Sequence, residues 1–235
     1  MKKKAVLSKR VLKIIDTYKP GENPVVAAHK LLKDILNPVP ERYDMMYRYE
    51  HTLRVTQIGM AIANAEGLPD EPIILACLLH DVGYPECKTF SDLWKHPELS
   101  AKIAELFFQN IGYDEKWSKT ICRGIAMHSL KEELPKDMTP FEITVRDADD
   151  IDRFSLLRSD ELMGDIVKEH STGEILERCE AVLRQTEGVW NYPRGTKTAR
   201  EMWEECLQQR KNAAKRLIEQ LEISDELKQL LGIER

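Results

Sequence analysis

Residues 70–83 read Asp-Glu-Pro-Ile-Ile-Leu-Ala-Cys-Leu-Leu-His-Asp-Val-Gly, and this stretch decides the fold. Ile73 to Leu79 is the longest uninterrupted apolar run in the chain, seven residues. That is far short of the roughly 18 that a membrane span needs. One stripe at helical spacing runs through it to the histidine that follows: Ile73, Ala76, Cys77 and His80. With Asp70 as N-cap, the spacing predicts a buried helix over about 71–80 that ends on a polar doublet, His80-Asp81. A charged residue at the head of an apolar stripe is costly unless it is paired or holds a cation.

Outward from this helix the same period recurs. Residues 5–17 and 24–36 predict two N-terminal helices parted by Pro20-Gly21, and Pro38 and Pro40 then break the chain. A helix over about 44–66 carries His51, Val55, Ile58, Ile62 and Ala65 on one stripe and stops at Gly67. Residues 82–95 read as a loop. Pro97 suits the first position of a helix to about 111, with His96 at its N-cap. A helix over 114–129 aligns Trp117, Ile121, Ile125 and His128, and another from near Pro140 aligns Ile143, Asp147 and Ile151. Two or three helices fill 155–190. The last long helix runs over 198–222, opened by a capping box from Thr198 to Glu201, with a short helix after Ser224. No stretch alternates as a strand would, and no hairpin turn signal occurs. The expectation is an all-α protein, one helical domain over 1–235, with a core at about 44–155 and flanking helices at 5–38 and 156–231.

Composition narrows the function. The 235 residues carry 35 basic and 40 acidic side chains, a net charge of −5. That balance argues against non-specific nucleic-acid or anionic-membrane binding. Five cysteines form no Cys-x-x-Cys pair, which excludes a disulfide scaffold and a cysteine zinc site. The basic start, MKKKAVLSKR, has no apolar segment behind it. A cytoplasmic protein is expected.

Four of the six histidines (His51, His80, His96 and His128) and two carboxylates, Asp81 and Asp147, sit on or at the ends of these stripes. Each alone has a structural reading: a satisfied core histidine, or an aspartate paired with Arg146 or Arg153. Convergence on one metal centre accounts for all six together. Nitrogen and oxygen donors without thiolate suit iron or manganese best, with zinc, nickel, cobalt or magnesium also compatible. His29 and His170 are left out, and Asp150 and Asp152 read as supporting acceptors or turn caps.

The order His51 in EHTLRV, His80-Asp81 in CLLHDVG and Asp147 in VRDADDIDR resembles the HD superfamily of metal-dependent phosphohydrolases. The doublet lies 29 residues after His51 and Asp147 lies 66 residues after Asp81. The resemblance covers about residues 44–155. It implies a helical bundle with a metal on His51, His80, Asp81 and Asp147. His96 and His128 fall where a subset of the superfamily places two more histidines and binds two metals bridged by the doublet aspartate. Similar proteins hydrolyse nucleotides, dinucleoside polyphosphates or cyclic dinucleotides; a branch similar to inositol oxygenase uses two irons and dioxygen on the same donors. The Gly83-Tyr84-Pro85 string matches half of the name of the HD-GYP phosphodiesterases but stands in the wrong place, so it reads as chance.

The resemblance thus implies a small phosphorylated substrate, divalent metal, Asp81 as the bridge, and a need for cations that neutralise phosphate. Lys88, in the loop after the doublet, and Arg54, one turn after His51, are the catalytic candidates, ahead of Arg48, Lys95, Arg146 and Arg153. Trp190 and Tyr192 could stack on a base, although packing onto the domain is the commoner use of such aromatics. The apolar face of the last long helix is expected to pack, and it leaves homodimerisation open.

Overall fold

A computed structural model describes residues 7–36, 43–87, 89–129, 135–158, 170–222 and 225–232. Among them there are ten α-helices, three short 3-10 turns and no strand. The helices are α1 (Lys9–Ile15), α2 (Pro24–Leu36), α3 (Tyr43–Glu66), α4 (Asp70–Leu79), α5 (His96–Ile111), α6 (Glu115–Met127), α7 (Pro140–Arg153), α8 (Thr172–Val189), α9 (Lys197–Leu221) and α10 (Asp225–Leu231). The 3-10 turns span Tyr84–Glu86, Phe90–Lys95 and Leu156–Arg158. Among the described residues no helix is long and apolar enough to cross a membrane.

The sequence predicts one helical domain, whereas the contacts divide the chain into two compact units. The first comprises Met1–Asp152 and Arg194–Arg200, the second Arg153–Pro193 and Glu201–Arg235.

In the first unit α4 is the central element. Pro72, Ile73 and Leu75 to Leu79 are all buried, and the helix packs against α2, α3, α5 and α6. A helix that is apolar on every side has no solvent face, so its neighbours must surround it. Pro69, not Asp70, occupies its N-cap; Asp70 and Glu71 stand in the first turn, where their charge complements the helix dipole. The N-terminal helices are part of this core and not an addition to it. Val11, Ile15, Leu31, Leu32 and Ile35 join Leu75, Leu79, Phe107 and Phe108 in one apolar cluster. Tyr18 presents its ring edge to Phe107 at 5.3 Å. At the end of α5, Gly112 takes the left-handed conformation, φ 67°. The amide of Tyr113 then reaches back to the Phe108 carbonyl at 3.0 Å, which closes the helix.

The second unit holds α8, α10 and most of α9. Ser171 and Glu174 form a capping box at the start of α8. The capping box predicted at Thr198 is displaced: α9 starts at Lys197, and the Thr196 hydroxyl accepts from the Ala199 amide at 3.1 Å. The Thr198 amide is given instead to Glu66, at 2.6 Å. Trp203 and Leu207 are fully buried, in keeping with the expected packed face. The Trp203 ring meets Phe154 edge-on at 5.0 Å. Trp203→Ala should therefore cost about 3–5 kcal/mol of stability, read as a lowered urea midpoint.

Candidate metal centre

Five helices of the first unit bring their polar residues to one place. His51 comes from the middle of α3, and His80 and Asp81 from the C-terminal end of α4. His96 is the first residue of α5, His128 follows the last residue of α6, and Asp149 and Asp152 lie on α7. All four histidines and Asp81 are buried.

Helix ends orient three of the rings. The last carbonyls of a helix have no partner within it. His80 Nδ1 donates to the Cys77 carbonyl at 2.7 Å, and His128 Nδ1 to the Ile125 carbonyl at 2.7 Å. His96 repeats the spacing on the Leu93 carbonyl of the preceding 3-10 turn, at 2.6 Å. His51 lies inside a helix, where that option is closed, and uses a carboxylate: its Nδ1 donates to Asp152 Oδ2 at 2.7 Å. Arg54 donates Nε to the other Asp152 oxygen at 2.6 Å. Carbonyl and carboxylate oxygens only accept, so each Nδ1 carries a proton, and in the neutral ring each Nε2 keeps a lone pair.

Those four lone pairs face one another in two pairs. His51 and His80 Nε2 are 3.3 Å apart, and His96 and His128 Nε2 are 3.1 Å apart. Asp81 stands between the pairs. Its Oδ2 is 3.5 Å from both His51 and His80 Nε2. Its Oδ1 is 3.3 Å from His96 Nε2 and 3.4 Å from His128 Nε2. Oδ1 is buried and has no hydrogen-bond partner. Two donor groups result, His51–His80–Asp81 and Asp81–His96–His128, each compact enough for one ion. An orphaned carboxylate oxygen beside two unprotonated ring nitrogens is an arrangement that a cation would satisfy.

The local field is strongly negative. Burial opposes ionisation of Asp81, but His80, His128, His51 and Arg48 hold its carboxyl well below the usual range. Burial pushes His80 down to about 4. The same burial acts on His51, but there Asp149, Asp152 and Asp81 outweigh it and raise the ring to about 10. A cation at Nε2 would take the place of the proton that these carboxylates otherwise favour on His51.

One expected residue is in the wrong place. Asp147 faces away from the histidines: its Oδ2 accepts from the Gly195 amide at 2.7 Å and its Oδ1 from Arg194 Nη1 at 3.1 Å. Asp149 takes the position beside the rings, with Oδ1 3.2 Å from His51 Nε2 and 3.9 Å from His80 Nε2. Two residues along a helix is a turn of about 200°, so these aspartates occupy opposite faces. The stripe Ile143, Asp147, Ile151 marks the other face. The signal that could have placed Asp149 beside the rings is its pairing with Asp152, three apart and hence on one side of α7.

The cation candidates divide. Arg54, expected as a substrate contact, is bound to Asp152 through Nε and through Nη2 at 3.2 Å, so it serves His51 indirectly. Lys88 lies outside the described residues. Lys95 is paired with Asp92. Arg146 points to Asp150, with Nε at 3.8 Å. Arg48 alone among these reaches a donor group: Nη1 donates to Asp81 Oδ2 at 2.9 Å while the side chain remains 20% exposed. Its guanidinium lies 3.7 Å from the centre of the Tyr84 ring, which in turn stacks on His96 at 4.1 Å. His29 pairs with the Tyr49 hydroxyl at 2.9 Å.

Residues 48–157 match the family model described as the HD domain. A solved structure with the same architecture is described as a predicted HD superfamily hydrolase from an uncultured Thermotogales bacterium. It is 19% identical, with a TM-score of 0.55, over 90% of this chain and 99% of the other. A search of curated proteins gives no match.

Gly83 joins the doublet to α5. A Cβ there would lie 2.5 Å from the Ser100 amide nitrogen and 2.8 Å from the His96 carbonyl, both backbone atoms that cannot swing aside. The glycine amide donates to Ser100 Oγ at 2.8 Å. The Gly-Tyr-Pro string therefore has a local cause, a close approach that sets His96 against Asp81. Gly83→Ala should cost about 1–3 kcal/mol, measured by thermal or urea unfolding.

Proposed function

We propose that the protein is a metal-dependent phosphohydrolase acting on a nucleotide or another small phosphate ester, with two divalent ions. One ion would be held by His51, His80, Asp81 and Asp149, the other by Asp81, His96 and His128. The observation that carries this reading is Asp81, whose two oxygens each face a pair of imidazoles fixed with their Nε2 lone pairs inward. The HD domain and the hydrolase description of the structural neighbour support the same class.

Divalent ions bound there would supply a water acidic enough to attack at neutral pH and would neutralise the phosphoryl oxygens. The chain's own residues do the rest. Arg48 stands at the exposed side of Asp81 with guanidinium donors beyond the one it spends on that carboxylate, and a planar fork suits a phosphate. The Tyr84 ring supports it from below. Asp152 and Arg54 hold the His51 ring, and buried carbonyls hold the other three, so the donor atoms are set before any ion arrives.

Protein purified without chelator, anaerobically and with manganese or iron present, should retain up to two equivalents of metal and hydrolyse members of a panel of nucleotides and sugar phosphates without consuming dioxygen. Asp81→Asn should abolish turnover and metal retention together. Asp149→Asn should lose the ion on the His51 side, whereas His96→Ala with His128→Ala should lose the other. Arg48→Ala should lower kcat/KM about 10- to 100-fold, the worth of a charge-assisted hydrogen bond, with metal content retained. Wild-type protein that stays metal-free and inert under these conditions overturns the reading.

A further inference from the structure

Residues 194–200 belong to the first unit although residues 153–193 before them do not. This segment lies on α7. The Arg194 side chain has no solvent exposure, and its Nη1 donates to Asp147 Oδ1 at 3.1 Å and to Asp150 Oδ2 at 2.8 Å. The next residue, Gly195, gives its amide to Asp147 Oδ2 at 2.7 Å. Only a glycine allows that approach, because a Cβ would lie 2.7 Å from Ile143 Cγ2 and 2.8 Å from Ile143 Cβ. Three residues on, the Thr198 amide is anchored on Glu66 at the end of α3.

α7 is therefore held on two sides. Asp147 and Asp150 are bound by the segment, and Asp149 and Asp152 address His51. Fixing the first pair fixes the rotation of the helix, and with it the second pair. Stability alone does not account for the device. A fully buried ion pair of this kind is commonly no better than apolar residues of similar size, and its best-attested use is to specify register. Metal ligands, by contrast, must be placed within about 0.5 Å.

We infer that Arg194 is a positioning residue for the metal centre, acting through Asp147 and Asp150 to set α7 so that Asp149 and Asp152 meet His51. This rests on the metal-dependent reading above. It extends the centre to a residue beyond the matched family region, 48–157.

The test uses the full-length chain freed of metal and titrated with Mn²⁺ by calorimetry, alongside melting of the metal-free protein. The double variant Arg194→Met, Asp147→Asn removes the buried charge pair while keeping an oxygen that accepts the Gly195 amide, and Asp150 retains Arg146 nearby, so the metal-free protein should melt close to wild type. The ion on the His51 side should nonetheless bind about tenfold more weakly, the usual effect of losing a group that orients a ligand. The ion on the His96 side should be unaffected. Arg194→Lys, which keeps the charge but loses the fork, should fall between; it carries the comparison should the double variant fail to fold. Unchanged Mn²⁺ affinity in these variants overturns the inference, as does a loss of affinity matched by a fall in the melting temperature of the metal-free protein. Wild-type protein that binds no Mn²⁺ overturns the functional reading itself, and this inference with it.

Discussion

Four imidazole Nε2 atoms and one desolvated carboxylate share a space that, among the described residues, only two donors reach: Arg48 at Asp81 and the Ser129 hydroxyl, 3.2 Å from His96 Nε2. That is the constraint on which the first unit depends. Each Nδ1 proton is already given to a carbonyl or to Asp152, so the rings cannot relieve the crowding by changing tautomer. With both rings neutral, the Nε2 atoms of His96 and His128, 3.1 Å apart, have no hydrogen between them and repel. The packing of α2, α3, α5 and α6 around α4 must supply the free energy that keeps them there until a cation does.

The fold meets this constraint by where its helices stop. α4 ends at the doublet, α6 ends at His128 and α5 begins at His96. A helix end offers free carbonyls, and three of the four rings use one three residues back. The same ends place the rings at the ends of apolar stripes, so the buried polar cluster forms without breaking the packing of Ile73, Leu75, Ile121 and Ile125. His51 is the exception, a mid-helix residue, and it is the ring for which α7 and Arg54 are recruited.

Much of this was legible in the sequence. Apolar period and glycine and proline stops gave helices close to those observed, since both act over a few residues. His51, His80, Asp81, His96 and His128 were legible because each stands at the head of an apolar stripe. Asp147 was expected beside them for the same reason, and it lies on the opposite side of α7. α7 buries both of its sides, one against the histidines and one against residues 194–195, and periodicity cannot say which buried carboxylate faces which neighbour. The role of Arg54 was hidden because a guanidinium one turn from a ligand suits a substrate and a supporting aspartate equally well. The place of α1 and α2 in the core, and that of Arg194 on α7, depend on contacts between distant parts of the chain that no local pattern records.

The late position of Gly195 has a consequence for the order of synthesis. Every histidine of the centre, and Asp149 with them, leaves the ribosome well before residues 194 and 195 do. A nascent chain thus carries all the donor atoms while α7 still lacks the amide and guanidinium that bind its far side. The back of α7 can be closed only after the intervening segment of the second unit has been made, which ties completion of the first unit to translation of most of the chain.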